Sequence, residues 1–200
     1  MASSTRSSEP SAWNVPNALT TSRILLVPVF GWLLLHDGGD SFAFRALAFA
    51  VFVGANLTDQ LDGHIARSRD QVTSFGKLVD PLADKALTGV GFVGLSLLGE
   101  LSWWVTILVL SREVVITALR VWVIRRGVII SASQGGKLKT VLQAVALAGY
   151  ILPLGAIWHG VAVVVMAAAV VVTMTSGVQY LRQSYAASKT AAATEGSVRG

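Results

Sequence analysis

The sequence contains no cysteine and few charged residues. Without cysteine the chain forms no disulfide bond and offers no thiolate to a metal, so any metal site must use oxygen or imidazole ligands. Only 14% of the 200 residues are charged, whereas an ordinary soluble domain carries roughly 25%. The composition is therefore that of a membrane protein.

Apolar residues are abundant instead: 53% of the chain is hydrophobic and the mean hydropathy is +0.62. Apolar stretches recur at close to the roughly 20 residues that a helix needs to cross a bilayer. We therefore predict an all-α integral membrane protein with six transmembrane helices. The predicted spans are Asn17–His36, Phe42–Ala66, Leu78–Leu98, Leu101–Ile124, Leu138–Trp158 and Val161–Leu181.

Polar segments flank this apolar region at both ends of the chain. The first residues are rich in Ser and Thr and lack the apolar run of a signal peptide. The last residues, from Ser184, are rich in Ala, Ser, Thr and Gly and too polar to pack. We predict a disordered tail at 1–13, one six-helix catalytic domain at 14–183 and a disordered tail at 184–200.

Lysine and arginine are absent from every second connection between the predicted spans. The connections at 36–41, 99–102 and 159–160 carry none. The other connections and the C-terminal tail carry Arg67, Arg69, Lys77, Arg125, Arg126, Lys137, Arg182, Lys189 and Arg199. Cytoplasmic loops of membrane proteins hold the excess of positive charge. Both termini are therefore predicted to face the cytoplasm from the plasma membrane, and the net charge of +5 is explained without a nucleic-acid partner.

Four aspartates stand at the ends of the second and third predicted spans: Asp59, Asp62, Asp80 and Asp84. An ionised Asp at the centre of a membrane helix costs about 2.5–3.5 kcal/mol, so such residues usually line a cavity or meet a counter-charge. A purely structural alternative is that they lie at the interface or pair with Arg67, Lys77 and Lys85.

The spacing of these aspartates favours one shared site. On the second span Asp59, Asp62, Gly63 and Ala66 share one helical face, which joins two carboxylates to two small residues. Asp80 and Asp84 are one turn apart on the next span. Carboxylates in a partly dry pocket repel one another unless cations neutralise them, and Mg²⁺ prefers carboxylate and phosphate oxygens. A divalent-metal site for phosphoryl-type transfer follows.

The segment Asp59–Asp84 also resembles a known family. It matches without substitution the CDP-alcohol phosphotransferase signature, in which D, DG, AR, G, D and D stand at set spacings. The fixed positions are filled by Asp59, Asp62, Gly63, Ala66, Arg67, Gly76, Asp80 and Asp84. So many residue types at fixed spacing form a highly specific motif.

The resemblance implies a six-helix membrane enzyme, usually dimeric, with its site open to the cytoplasm. It implies two divalent metal ions, Mg²⁺ or Mn²⁺, which Asp59, Asp62, Asp80 and Asp84 would hold. The CDP-lipid would bind at Asp59, Asp62, Gly63, Ala66, Arg67 and Gly76. Asp84 would in addition be the general base that takes the proton of the acceptor hydroxyl.

Four segments, one of which overlaps the end of the signature, resemble the branch of this family that uses glycerol 3-phosphate as acceptor and CDP-diacylglycerol as donor. They are 14–30, 80–85, 111–120 and 135–143. The acceptor is a dianion and needs extra cations. We predict that its phosphate binds at Arg112, Arg120, Lys137 and Lys139, which lie on or near the cytoplasmic ends of the fourth and fifth spans. The alternative for Arg112 and Arg120 is helix-to-helix pairing, including a network with Glu113.

Two other functions remain open at this stage. A cardiolipin synthase, or another family member with a different acceptor, would use the same metal site. A cation transporter also places aspartates in membrane helices, but transport sites tend to lie near the midplane. Asp59 and Asp62 lie instead about 25–30 Å along the second predicted span, near its cytoplasmic boundary, and the third span returns from that same boundary.

Overall fold

The computed structural model describes the backbone of residues 15–68, 74–125 and 134–198, and the side chains of residues 22, 24–58, 85–123 and 136–185. Within these ranges the protein is all-helical and has no strand. The six α-helices are α1 Val15–Leu35, α2 Phe42–Ser68, α3 Ser74–Leu97, α4 Trp103–Arg125, α5 Gln134–Ile151 and α6 Ala156–Val198. Each corresponds to one predicted span.

One difference from the predicted boundaries lies between α5 and α6. The fifth span was predicted to reach Trp158, but α5 ends at Ile151 and α6 begins at Ala156. Pro153 has no backbone N–H and disfavours helical geometry at the residue before it. Gly155 then adopts φ 104°, a conformation that costs other residues steric strain. The turn therefore precedes Trp158, which is part of α6.

Helix α6 is also longer than the sixth predicted span. It continues through Val198, so the backbone is helical over most of the segment from Ser184 that the composition predicts to be a disordered tail. Alanine, which is frequent there, has the highest intrinsic helix propensity. Helical backbone and polar composition are compatible, since a helix satisfies its own hydrogen bonds without packing.

The chain divides into two compact units, Met1–Gly94 and Leu95–Gly200. In the first unit α1 packs against α2, where the rings of Phe30 and Phe52 lie 5.5 Å apart. A short 3₁₀ turn, His36–Gly39, joins the two helices. Helix α3 lies close to α1 at Gly31. An added Cβ at this glycine would lie only 3.1 Å from the Val90 side chain. Small residues allow this kind of close helix contact in membranes.

In the second unit α4 and α5 pack against α6. The turn that leads into α4 is closed by a 2.7 Å hydrogen bond between the hydroxyls of Ser96 and Thr106. Helices α5 and α6 meet at Gly149, where an added Cβ would lie 2.9 Å from Cβ of Ala162. The second unit is thus organised around α6.

The second unit carries apolar side chains outside and polar side chains inside. Val114 and Val164 are each 68% exposed, whereas Lys139 is 7% and Thr173 0% exposed. Large exposed apolar surfaces mark contact with membranes or partners. Polar side chains of membrane helices face the bundle interior instead. This distribution is the one expected for helices surrounded by lipid.

By length and hydropathy, one helical segment among the described residues is suited to cross a bilayer, Ala156–Tyr185 of α6. Shorter apolar segments occupy Ile24–Gly39, Phe42–Thr58 and Lys85–Leu97. The helices therefore match the predicted spans in number and approximate position, and their orientation across a membrane stays a prediction.

The contact between α5 and α6 at Gly149 should tolerate no added methyl group. Gly149→Ala is expected to lower the free energy of unfolding by about 1–3 kcal/mol, because backbone and Cβ atoms of Ala162 cannot move aside. Gly54→Ala on α2 is the control, since no atom lies within 4 Å of its added Cβ. Denaturant unfolding in detergent measures both. Equal stability of the two variants would contradict this packing.

Candidate active site

A group of buried and part-buried charged and polar side chains lies between α4, α5 and α6. We call it the polar cluster. Its members are Arg112 and Glu113 from α4, Lys139 and Gln143 from α5, and Thr173 and Ser176 from α6. All of them belong to the second unit.

Glu113 pairs with both cations of the polar cluster. Its Oε1 atom accepts a hydrogen bond from Nη1 of Arg112 at 3.2 Å and a second bond from Nζ of Lys139. The side chains of Arg112, Glu113 and Lys139 are 13%, 19% and 8% exposed. Charges so largely removed from water need partners. Two cations share one carboxylate, which leaves these three residues with one net positive charge.

Arg112 is held on its other side by α6. Its Nε donates to the backbone carbonyl of Thr173 at 3.1 Å, and its Nη2 donates to Oγ of Ser176 at 3.0 Å. A guanidinium has five N–H donors. The bonds to Glu113 and α6 engage three of them, so one N–H on each terminal nitrogen remains beyond these contacts. The alternative of helix-to-helix pairing is thus realised, and it leaves donors for a ligand.

Thr173 and Ser176 are themselves fixed within the bundle. Nε2 of Gln143 donates to Oγ1 of Thr173 at 3.0 Å, and Oγ of Ser176 donates to the Thr173 carbonyl at 3.1 Å. Hydrogen bonds among buried groups stay formed, because breaking one leaves a polar group that is neither hydrogen-bonded nor hydrated. Three helices therefore determine where the Arg112 guanidinium lies.

The structure brings two of the four predicted acceptor-binding residues together, Arg112 and Lys139, through Glu113. Arg120 lies against α6, with its guanidinium carbon 5.7 Å from the centre of the Tyr180 ring. This is a cation–π distance. Lys137 is exposed near the start of α5. Arg112 lies close to the middle of α4, not near its end as predicted from the sequence.

The signature residues lie on two consecutive helices, which correspond to the second and third predicted spans. The backbone at Asp59, Asp62, Gly63, Ala66 and Arg67 is part of α2, and that at Gly76, Asp80 and Asp84 is part of α3. Their side chains lie outside those that the structure describes, so their convergence and the metal site remain predictions. Among the described side chains, no three carboxylates or imidazoles meet as a metal site.

Sequence reasoning missed four residues of this region: Gln143, Thr173, Ser176 and Gly177. Their signal is the spacing of small and polar residues within an apolar helix. Thr173, Ser176 and Gly177 fall three and four residues apart on α6, which places them on one face. Gln143 is one turn after Lys139 on α5. Polar positions at helical spacing inside a membrane helix indicate an interior face.

The polar cluster is suited to bind an anion. Among the described side chains, Arg112, Glu113 and Lys139 together carry one net positive charge and have little exposure to water. Arg112 has two N–H groups beyond its described hydrogen bonds. Such a guanidinium binds phosphate oxygens in a fixed geometry, and low exposure strengthens the attraction.

Known proteins of one family are similar to this chain over most of its length. The family model described as CDP-alcohol phosphatidyltransferase matches residues 13–175. A probable phosphatidylglycerophosphate synthase of Mycobacterium tuberculosis is 51% identical over 171 residues, which cover 86% of this chain and 81% of that protein.

Two further relatives carry the name CDP-diacylglycerol–glycerol-3-phosphate 3-phosphatidyltransferase. The Bacillus subtilis protein is 34% identical over 190 residues, covering 89% of this chain and 98% of its own length. The Shigella flexneri serotype 5b protein is 38% identical over 177 residues, covering 84% and 93%. The similarity thus extends over nearly the whole of each protein.

The charge balance of the polar cluster gives a stability prediction. Glu113→Ala leaves two largely buried cations without their shared carboxylate and should lower the free energy of unfolding by about 3–5 kcal/mol. Adding Lys139→Met removes one of those cations, so the double variant should recover part of the loss. Denaturant unfolding in detergent measures the set. If the double variant loses as much free energy of unfolding as the two single variants together, Glu113 and Lys139 are not coupled.

Proposed function

Since this chain belongs to the CDP-alcohol phosphatidyltransferase family, we propose that it transfers the phosphatidyl group of CDP-diacylglycerol to glycerol 3-phosphate. The products are CMP and phosphatidylglycerol phosphate, a step of phospholipid biosynthesis. The relatives named above, which are 34–51% identical, carry names for this reaction. Their similarity reaches beyond the signature into the helices that supply the polar cluster.

The observation that carries the proposal is the complete signature within the family match. Residues 59–84 contain every fixed position of the motif and lie inside the matched range 13–175. The signature is divided between α2 and α3, which are consecutive helices. Carboxylates at helical spacing on two consecutive helices are suited to meet at one level of a bundle.

The residue types at the signature fit a divalent metal. Asp59, Asp62, Asp80 and Asp84 offer oxygen donors, and the chain has no thiolate that would favour softer metals. We assign these four residues to two divalent ions, either Mg²⁺ or Mn²⁺. The chemistry that bound Mg²⁺ supplies is charge neutralisation at the phosphate oxygens of the CDP-lipid.

The remaining signature positions are assigned to the nucleotide part of the substrate. Gly63, Ala66 and Gly76 carry little or no side chain, which leaves room beside the helix backbone for a bulky ligand. Arg67 supplies a cation for phosphate. Asp59 and Asp62 contribute to the same CDP-lipid site.

Asp84 acts as general base in the transfer step. It takes the proton from the primary hydroxyl of glycerol 3-phosphate, and the hydroxyl oxygen forms a bond to the lipid-linked phosphorus. The bond from that phosphorus to the oxygen of CMP breaks, and CMP leaves with the electron pair. A carboxylate within reach of the acceptor hydroxyl is suited to this role.

The acceptor's own phosphate is assigned to the polar cluster and the cations beside it, Arg112, Arg120, Lys137 and Lys139. The support is the net positive charge of the buried ion pairs and the N–H groups that Arg112 has beyond its three hydrogen bonds. Arg120 and Lys137 would provide more exposed charge that attracts the dianion.

We further propose a multi-pass protein of the plasma membrane with six transmembrane helices, cytoplasmic termini and a cytoplasmic active site, acting as a homodimer. Exposed valines and buried polar residues in the second unit support contact with lipid. Lys and Arg confined to alternate connections support the orientation. A cytoplasmic site also faces the compartment that supplies a phosphorylated, water-soluble acceptor.

The proposal is tested by CMP release from CDP-diacylglycerol and Mg²⁺ with glycerol 3-phosphate, phosphatidylglycerol, inositol phosphate or serine as acceptor. Only glycerol 3-phosphate should drive release. Asp84→Asn should reduce turnover by about 10²–10⁴-fold, because it removes the base, and should retain part of the CDP-lipid binding. Release with phosphatidylglycerol alone would instead establish a cardiolipin synthase.

Further outcomes would overturn parts of the assignment. Equal loss of CDP-lipid binding and turnover in Asp84→Asn would make this residue chiefly a metal ligand and would contradict its role as the base. Folded protein that releases no CMP with any acceptor would contradict the transferase function and favour cation transport.

A further inference from the structure

Helix α6 lies unusually close to the guanidinium of Arg112 at Gly177. An added Cβ at Gly177 would lie 3.1 Å from Nε, 3.5 Å from Cγ and 3.8 Å from Nη2 of Arg112. The absence of a side chain at Gly177 therefore provides the space in which the guanidinium lies. Ser176, the preceding residue, is buried and accepts the hydrogen bond from Nη2.

We propose that Ser176 and Gly177 are positioning residues, which orient Arg112 toward the phosphate of the acceptor and thereby set the affinity for it. This inference rests on the proposed function, because it needs an acceptor phosphate at Arg112. Neither residue has to contact the substrate. Both act through the guanidinium.

The contacts of Arg112 explain why its position is sensitive to α6. Side chains of arginine lose considerable rotamer freedom when they are ordered. Here Nε and Nη2 are bound to α6 and Nη1 to Glu113. These bonds fix the plane of the guanidinium before any ligand arrives. A prearranged donor pair binds phosphate more tightly than a mobile one, because less entropy is lost on binding.

A methyl group at Gly177 would disturb this arrangement specifically. A distance of 3.1 Å from the added Cβ to Nε is shorter than an ordinary van der Waals contact, so the guanidinium would have to shift. Glu113 holds it from the opposite side, and the Thr173 carbonyl belongs to the helix backbone. Arg112 must then lose or lengthen at least one of its bonds, and its remaining donors change direction.

The test compares Gly177→Ala with Gly160→Ala. Both positions lie on α6, and no atom lies within 4 Å of the added Cβ at Gly160. We expect Gly177→Ala to raise KM for glycerol 3-phosphate about tenfold, the loss of roughly one charged hydrogen bond. KM for CDP-diacylglycerol should stay within about twofold of wild type, as should both constants in Gly160→Ala.

A second comparison separates positioning from a general structural effect. In an Arg112→Ala background there is no side-chain atom beyond Cβ for the added methyl to displace. Gly177→Ala should then cause no further rise in KM for glycerol 3-phosphate. An equal rise in both backgrounds would show that the effect does not pass through Arg112, and the inference would be wrong.

Ser176→Ala keeps the proposal testable if Gly177→Ala fails to fold. It removes the Oγ acceptor of the bond from Nη2 and adds no atom. It should raise KM for glycerol 3-phosphate several-fold and leave KM for CDP-diacylglycerol unchanged. A rise confined to CDP-diacylglycerol would contradict the inference.

The outcomes for wild type distinguish the two proposals. Wild-type protein that releases no CMP with glycerol 3-phosphate would overturn the proposed function itself. Active wild type together with Gly177→Ala and Ser176→Ala variants whose constants match those of Gly160→Ala would leave that function intact and overturn the positioning role alone.

Discussion

The second unit depends on how two cations and one carboxylate are held among apolar helices. Glu113 binds Arg112 and Lys139, and α6 binds the other side of Arg112. Charges with so little access to water are tolerated only with partners. The requirement therefore draws α4, α5 and α6 together, and Arg112, Glu113 and Lys139 carry one net positive charge among them, which attracts an anionic substrate.

Burial and function are linked at this site by the N–H groups that Arg112 has beyond its described hydrogen bonds. A guanidinium with every donor engaged would be a purely structural element. Arg112 has three donors bound to protein and two beyond those bonds. Partial engagement fixes the side chain in space and still leaves donors for a phosphate. This combination is what a transferase with a phosphorylated acceptor needs, because catalysis at phosphorus is mainly positioning and charge stabilisation.

The sequence predicted the helices and the family well, and the side-chain contacts poorly. Apolar runs of membrane-spanning length located the six helices of the described residues, and the spacing from Asp59 to Asp84 identified the family. The turn at Pro153 was misplaced because the apolar pattern continues across it. The partners of Arg112 on α6 are about 60 residues away in sequence. Which faces of two helices meet depends on packing of the whole bundle, which periodicity alone does not encode.

Equilibrium binding of glycerol 3-phosphate, separated from turnover, tests most directly whether the buried cations hold the acceptor. The measurement uses Asp84→Asn protein with CDP-diacylglycerol and Mg²⁺, where the chemical step is blocked, and compares it with the Asp84→Asn/Arg112→Ala double variant. We expect the single variant to bind glycerol 3-phosphate and the double variant to bind it at least about tenfold more weakly, with equal affinity for the CDP-lipid. Equal affinity of both proteins for glycerol 3-phosphate would place the acceptor phosphate elsewhere.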